Sequence, residues 1–314
     1  MNPVDDNLAQ EIASTAVELA RGAGEILASY FGRPMDIEFK DKDQRDPVTA
    51  ADKASQDFLV REIARKFPDH GILGEEGEEG KDEADTSSPD FLWVLDPLDG
   101  TTNFLNGFPV YASSIGILHR GWPLAGAIYL PWPKPSGGFV LHCRRNAGCF
   151  ADDEPISVYE SQEPGNNRLI ALPGSFGSTT RFSRNLRGKI GEPRTTGSIA
   201  YELAMTACGV LQYSVIGAPR LWDVAGGALA VLEAKGEVMT RFRGEKAWHP
   251  LGSLVPSWET APPSFKDLRQ WVAPLVAGNR QVAPLIANNL RPRFRPAAKL
   301  RSLTRRLLPV RKSR

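Results

Sequence analysis

Residues 93–104 read Trp93-Val94-Leu95-Asp96-Pro97-Leu98-Asp99-Gly100-Thr101-Thr102-Asn103-Phe104. The stretch grows out of a short apolar run, Phe91 to Leu95, whose length suits a buried strand that stops at Asp96. Two aspartates three apart, split by Pro97, can aim both carboxylates and the Leu98 carbonyl at one point. Oxygen-only ligation of that kind suits Mg²⁺. Gly100-Thr101-Thr102 then offers backbone N–H groups to an anion beside the metal. Asp-Pro and Asp-Gly turns are common one at a time; the continuous twelve-residue string is not.

Three further segments place acids at the ends of apolar elements: Asp46-Pro47-Val48-Thr49-Ala50-Ala51-Asp52, Gly74-Glu75-Glu76, and Trp222-Asp223-Val224-Ala225-Gly226-Gly227. Each acid also has a plain reading. Glu75 opens an acidic run, but it closely follows the apolar stretch Ile72-Leu73, with Gly74 between. Asp223 suits the first turn of a helix. Thr49 with Asp52 three residues on approximates a capping box, so Asp52 reads as a helix-start acid rather than a ligand. Ser198 is open between a helix cap and a substrate contact.

Around these segments the spacing predicts helices over about 8–30, from Thr49 to about Pro68, over 199–209, 224–234 and 281–290. Strands are predicted at 91–95, 111–118, 123–130, 169–172 and 271–276. Helices and strands mix without strict βαβ alternation, which argues for α+β or layered α/β. The chain turns polar around Asp152 to Pro164. This divides it into 1–153, an N-terminal α+β domain with most of the acids, 154–290, a C-terminal α/β domain that completes the site, and a basic tail, 291–314.

Composition narrows the function. The tail holds ten Lys or Arg and no acid out of a net charge of +1, so the rest of the chain is at −9. An acidic body is a poor general binder of nucleic acid, and none is expected as a partner. GxGxxG and Walker A strings are absent. Cys143, Cys149 and Cys208 make no disulfide framework, which suggests a reducing cytoplasm, and the scattered histidines argue against a zinc site. The chain contains no run of about 18 apolar residues, and residues 1–10 do not look like a secretory signal.

WVLDPLDGTTNF closely resembles the signature of the inositol monophosphatase family, and LWDVAGGALAVLEAKG resembles its second signature. DPVTAAD and GEE sit in the family's order, and the likeness spans roughly residues 8 to 290. The resemblance implies a five-layered αβαβα sandwich and a lithium-sensitive phosphomonoesterase that uses two or three Mg²⁺ ions. It implies that Glu75, Asp96 and the Leu98 carbonyl hold one metal, Asp96, Asp99 and Asp223 a second, and Asp46 a third. It implies that Thr101, with Glu75 or Asp46, orients the attacking water. It places Asp99, Gly100, Thr101, Gly197, Ser198 and Asp223 against the substrate, a small phosphorylated metabolite, and it suggests a homodimer.

One departure bears on the substrate. The family carries an acid seven residues before the second-signature aspartate, gripping a substrate hydroxyl; here Ile216 stands there. A site without that acceptor discriminates poorly for a polyol. Inositol 1-phosphate is therefore weighed against histidinol phosphate and 3′-phosphoadenosine 5′-phosphate, and against a metal-binding regulatory role without turnover. In the tail, Leu300, Leu303, Leu307 and Val310 recur at helical spacing among arginines. The pattern reads as a solvated tail or as an amphipathic contact with a membrane surface or a protein.

Overall fold

The computed structural model describes residues 4–34, 37–39, 47–76, 89–133 and 137–293. Asp46 and the basic stretch 294–314 lie outside the described residues, and with them the third-metal and amphipathic-tail expectations.

Helix α1 (Asp6–Tyr30) starts at Asp5, whose side chain accepts the Leu8 N–H. It buries Ile12, Ala16, Leu19, Ala23 and Leu27 along one face. A short ladder, β1 (Ile37–Phe39) with β2 (Pro47–Thr49), leads into α2 (Ala50–Lys66). The predicted capping box at Thr49 and Asp52 is present. A seven-stranded sheet follows, built from β3 (Gly71–Gly74), β4 (Phe91–Asp99), β5 (Ala112–His119), β6 (Trp122–Leu130), β7 (Phe139–Arg144), β8 (Gly148–Ala151) and β9 (Glu154–Pro155), in that spatial order. The short helix α3 (Thr101–Leu105) leaves the end of β4.

The second half forms a six-stranded sheet in the order β12-β10-β13-β16-β14-β15. Its elements run β10 (Leu169–Ala171), α4 (Phe176–Thr179), β11 (Thr180–Phe182), β12 (Glu192–Arg194), α5 (Ile199–Ala207), β13 (Leu211–Ile216), α6 (Leu221–Glu233), β14 (Glu237–Thr240), β15 (His249–Pro250), α7 (Phe265–Arg269), β16 (Leu275–Gly278), α8 (Val282–Asn289) and β17 (Leu290–Pro292). Strand β10 runs parallel to β12 and β13, and β16 is antiparallel to β13. Arg291 and Pro292 were predicted to begin the tail; they sit in β17, paired with β11.

The layers follow from which faces are apolar. Helices α1 and α2 cover one face of the first sheet, α5 and α6 lie between the two sheets, and α8 covers the outer face of the second. The order is a five-layered αβαβα sandwich, as expected. Small residues set the central spacing. A Cβ added at Gly116 on β5 would lie 2.5 Å from Ala225 Cβ, and one at Gly226 on α6 2.8 Å from Ile115 O. The Ala225-Gly226-Gly227 segment thus lets α6 press its backbone onto β5, and this fixes where the start of α6 stands.

Two strand predictions need correction. The run from Phe91 does not end at Asp96: β4 continues to Asp99 through an irregularity at Pro97 and Leu98. Asp96 pairs with Ser114 and Asp99 with Ala112, so three steps on β4 face two on β5. In a regular strand, residues three apart point to opposite faces. The extra residue of a bulge cancels that alternation and returns Asp96 and Asp99 to one side. The last strand begins at Leu275 rather than Trp271. Trp271 is held by its indole N–H on Leu254 O, and Pro274 has no N–H to offer a ladder.

Candidate active site

Three elements carry the predicted acids to one region. Asp96 and Asp99 stand on the bulged end of β4, Glu75 directly follows β3, and Asp223 lies in the first turn of α6. The Glu75 N–H donates to Leu95 O at 3.1 Å, which registers it beside the end of β4. Asp223 is fixed by the Arg220 N–H at 2.7 Å.

Burial pushes the Asp96 carboxyl well above the usual carboxylate range, and the neighbouring charges of Glu75, Asp99 and Asp223 push it further. Burial also raises Asp99, with Asp223 the next influence, against the opposing N–H of Ala200 and hydroxyl of Ser198. Carboxylates that penalise one another's ionisation out of water form a donor set suited to a hard divalent cation. Among the described residues, no three His, Cys, Asp or Glu side chains already converge as a ligand shell. The acids feel one another's charge without yet meeting at one point. The Leu98 carbonyl lies 3.1 Å from the Thr101 hydroxyl.

Ser198 takes the cap role left open by the sequence and also reaches one of the acids. It caps α5 by accepting the Tyr201 N–H at 3.3 Å, and its hydroxyl donates to Asp99 Oδ2 at 2.9 Å. The Ala200 N–H donates to the same oxygen. Gly100 packs against this corner: a Cβ there would lie 3.1 Å from Ser198 Cβ. Its φ of +91° is a left-handed conformation that glycine adopts without strain. Gly197, at φ +82°, precedes Ser198 in the same way.

The structure adds residues that the sequence did not single out. The Thr101 hydroxyl lies 3.2 Å from Asp52 Oδ1, so the helix-start acid reaches the site. The other oxygen of Asp52 accepts the Thr49 N–H at 2.8 Å and the Thr49 hydroxyl at 2.6 Å. Burial raises the Asp52 carboxyl above its ordinary value, the Thr49 bonds oppose this, and the Glu75 charge adds to it. Asn103 donates to Val110 O at 2.6 Å and Thr196 O at 2.7 Å, tying α3 to the approach of α5. Thr196 is held by Glu202 through its N–H at 3.1 Å and its hydroxyl at 2.8 Å. Asp52 sits inside the DPVTAAD string, and Asn103 inside the longest motif, so both were visible as residues but not as partners. Ile216, at the end of β13, is buried and offers no acceptor.

A layered sandwich with acids from the end of β3, from β4 and from α6 grouped around the buried Asp96 is the architecture of a phosphatase class. The chain belongs to the inositol monophosphatase family, whose profile matches residues 8–273. It is 34% identical over 235 residues to inositol monophosphatase 1 of Solanum lycopersicum, covering 72% of this chain and 83% of that protein. It is 30% identical over 273 residues to Nus factor SuhB of Xylella fastidiosa, covering 85% and 90%. The solved Thermotoga maritima IMPase superposes with a TM-score of 0.66 at 25% identity, covering 86% and 93%.

Proposed function

We propose that the chain hydrolyses a small phosphate monoester with Mg²⁺ held by Glu75, Asp96, the Leu98 carbonyl, Asp99 and Asp223. Asp46 completes a third position in this reading. The observation that carries it is the placing of these acids, around the buried Asp96, beside the Thr101–Asp52 hydrogen bond. When bound, Mg²⁺ offsets the charge of the carboxylates, polarises the phosphoryl group and lowers the pKa of the attacking water.

The chain's own residues then have separate tasks. Asp52 accepts a hydrogen bond from the Thr101 hydroxyl, which leaves the Thr101 oxygen lone pairs to orient a water toward phosphorus. The water attacks and its proton moves to the Thr101 oxygen as the Thr101 proton moves to Asp52, while the bond from phosphorus to the ester oxygen breaks and that oxygen leaves as an alcohol with a proton taken from solvent. Ser198 and the Ala200 N–H hold Asp99, so its free oxygen keeps one direction as the reaction proceeds. The backbone of Gly100 to Thr102 faces the phosphate. No covalent phosphoenzyme forms; a trapped phosphoryl adduct would overturn this step.

Ile216 removes the acceptor that would grip a polyol hydroxyl, so the inositol-phosphatase name of the relatives does not transfer as a substrate. A panel of inositol 1-phosphate, histidinol phosphate, 3′-phosphoadenosine 5′-phosphate and simple esters, assayed for phosphate release with and without Mg²⁺, tests the reading. Mg²⁺-dependent release from any member supports it. The name of the Xylella relative, Nus factor, favours a second reading in which the chain acts by binding a partner. Absence of release across the panel would favour that reading.

A further inference from the structure

The crevice next to the acids has a chemistry of its own. A pocket of about 400 Å³ opens beyond the C-terminal ends of β10 and β13, where Pro173 and Ser175 leave one strand and Gly217 leaves the other. Open sheets with parallel strands bind ligands at this end, and the size suits a small molecule. Its wall abuts the segment that carries Ser198. The Thr195 hydroxyl donates to Leu172 O at 2.8 Å, and a Cβ at Gly174 would lie 3.7 Å from Thr195 Cγ2. Three residues on from Thr195, Ser198 donates to Asp99. On the other wall, Ile216 and Gly217 lead directly into the first turn of α6 and Asp223. The pocket thus adjoins both segments that carry the site, the one with Ser198 and the one with Asp223.

The lining contrasts with the acids beside it. Among the described residues the pocket presents two arginines, Arg241 and Arg291, and no Asp or Glu. The Arg241 guanidinium lies 5.0 Å from the centre of the Trp248 ring, which supports it from one face. One Arg291 nitrogen donates to Asn288 O at 2.7 Å and Leu290 O at 2.8 Å, which anchors that side chain at the rim and leaves further N–H donors. Ile216, Phe176 and Leu290 supply apolar surface in the same pocket. Ser175, Thr179 and Thr180 add hydroxyls to the lining, but among the described residues its only charges are the two guanidinium groups, which favour an anion on an apolar body over a neutral polyol.

We propose that this pocket takes the leaving-group end of the substrate and selects phosphate monoesters that carry a second anionic group, carboxylate or phosphate, on an apolar body. The proposal deepens the phosphatase reading and rests on it. Arg241, Arg291 and Trp248 are specificity residues in it; they take no part in the bond-breaking step.

The test compares 4-carboxyphenyl phosphate with its neutral amide, 4-carbamoylphenyl phosphate, on wild type, Arg241→Gln and Arg291→Gln. The bisphosphate of hydroquinone against 4-hydroxyphenyl phosphate forms a second pair and distinguishes phosphate from carboxylate. Wild type should prefer the charged member of at least one pair by about tenfold in kcat/KM, the scale of one charge-assisted hydrogen bond. That ratio should collapse toward unity in Arg241→Gln, mainly through KM, and recover partly in Arg241→Lys. Arg291→Gln, at an exposed position, gives an independent reading if Arg241→Gln folds poorly. Equal turnover within both pairs by wild type, or an unchanged ratio in both variants, overturns the proposal. If wild type cleaves nothing, the phosphatase reading fails separately. Calorimetric binding of the same pairs then decides the pocket: a preference for the anion that is lost in Arg241→Gln supports it, and equal binding overturns it.

Discussion

The Thr101 hydroxyl lies 3.2 Å from Asp52 Oδ1, joining the end of the longest motif to the start of α2, 49 residues earlier in the chain. Asp52 is thereby shared between two tasks. One oxygen closes the capping box with Thr49, and the other faces the hydroxyl that the proposed mechanism needs.

Thr101→Ala and Asp52→Asn are each expected to lower kcat by about 10²–10³-fold, the usual scale for a positioned proton acceptor, with a smaller change in KM. The double variant should be little worse than either single one, since both remove one hydrogen bond. Steady-state kinetics on the best substrate of the panel gives the answer. Additive losses would show that the two residues act separately.

Gly116→Ala tests the close crossing of α6 over β5. The new Cβ would meet Ala225 Cβ at 2.5 Å, so either the helix or the strand must move. Overpacking of this kind costs about 1–3 kcal/mol. Because α6 carries Asp223, the same variant should also bind Mg²⁺ more weakly than wild type. Urea denaturation and calorimetric Mg²⁺ titration read the two effects. A variant with unchanged stability and unchanged Mg²⁺ affinity would contradict the packing argument.

Glu202 supplies a pH dependence away from the metal-binding acids. Burial raises its carboxyl from 4.5 to about 7, against the opposing hydrogen bonds from Thr196. An acid raised on folding contributes stability that is fully present below the unfolded value and is lost as pH rises through the folded one. The window is therefore about 4.5 to 7. The shift corresponds to at most about 3 kcal/mol. Relative to Glu202→Gln, wild type should lose about 1–3 kcal/mol of unfolding free energy between pH 5 and pH 8. A difference between the two proteins that stays constant with pH would refute the assignment.

The helices were legible because their signals are local. Asp5 is followed by a regular apolar face in α1, and Thr49 and Asp52 are three residues apart. The acid motifs were legible for the same reason, each being a short continuous string. What escaped was set by pairing. The bulge that puts Asp96 and Asp99 on one side exists only against Ser114 and Ala112 on β5. Strand β13 reads Leu-Gln-Tyr-Ser-Val-Ile over only six residues, and its polar Gln212 and Ser214 are buried with hydrogen bonds to Gly165 and Thr206 that arise only on folding. The second role of Asp52 needs Thr101, which reaches it only through folding. The arginines of the pocket lie in β17 and just past β14, outside every motif.

The most direct test of the central claim is phosphate release across a Mg²⁺ titration, for wild type and Asp96→Asn, on the best ester of the panel. The account predicts that wild-type release rises from background to saturation with Mg²⁺ and is abolished by a chelator. It predicts that Asp96→Asn, with folding confirmed by circular dichroism, is slower on the order of a hundredfold or more at every Mg²⁺ concentration. A folded Asp96→Asn protein that releases phosphate at the wild-type rate, or wild-type release that ignores Mg²⁺, would contradict it.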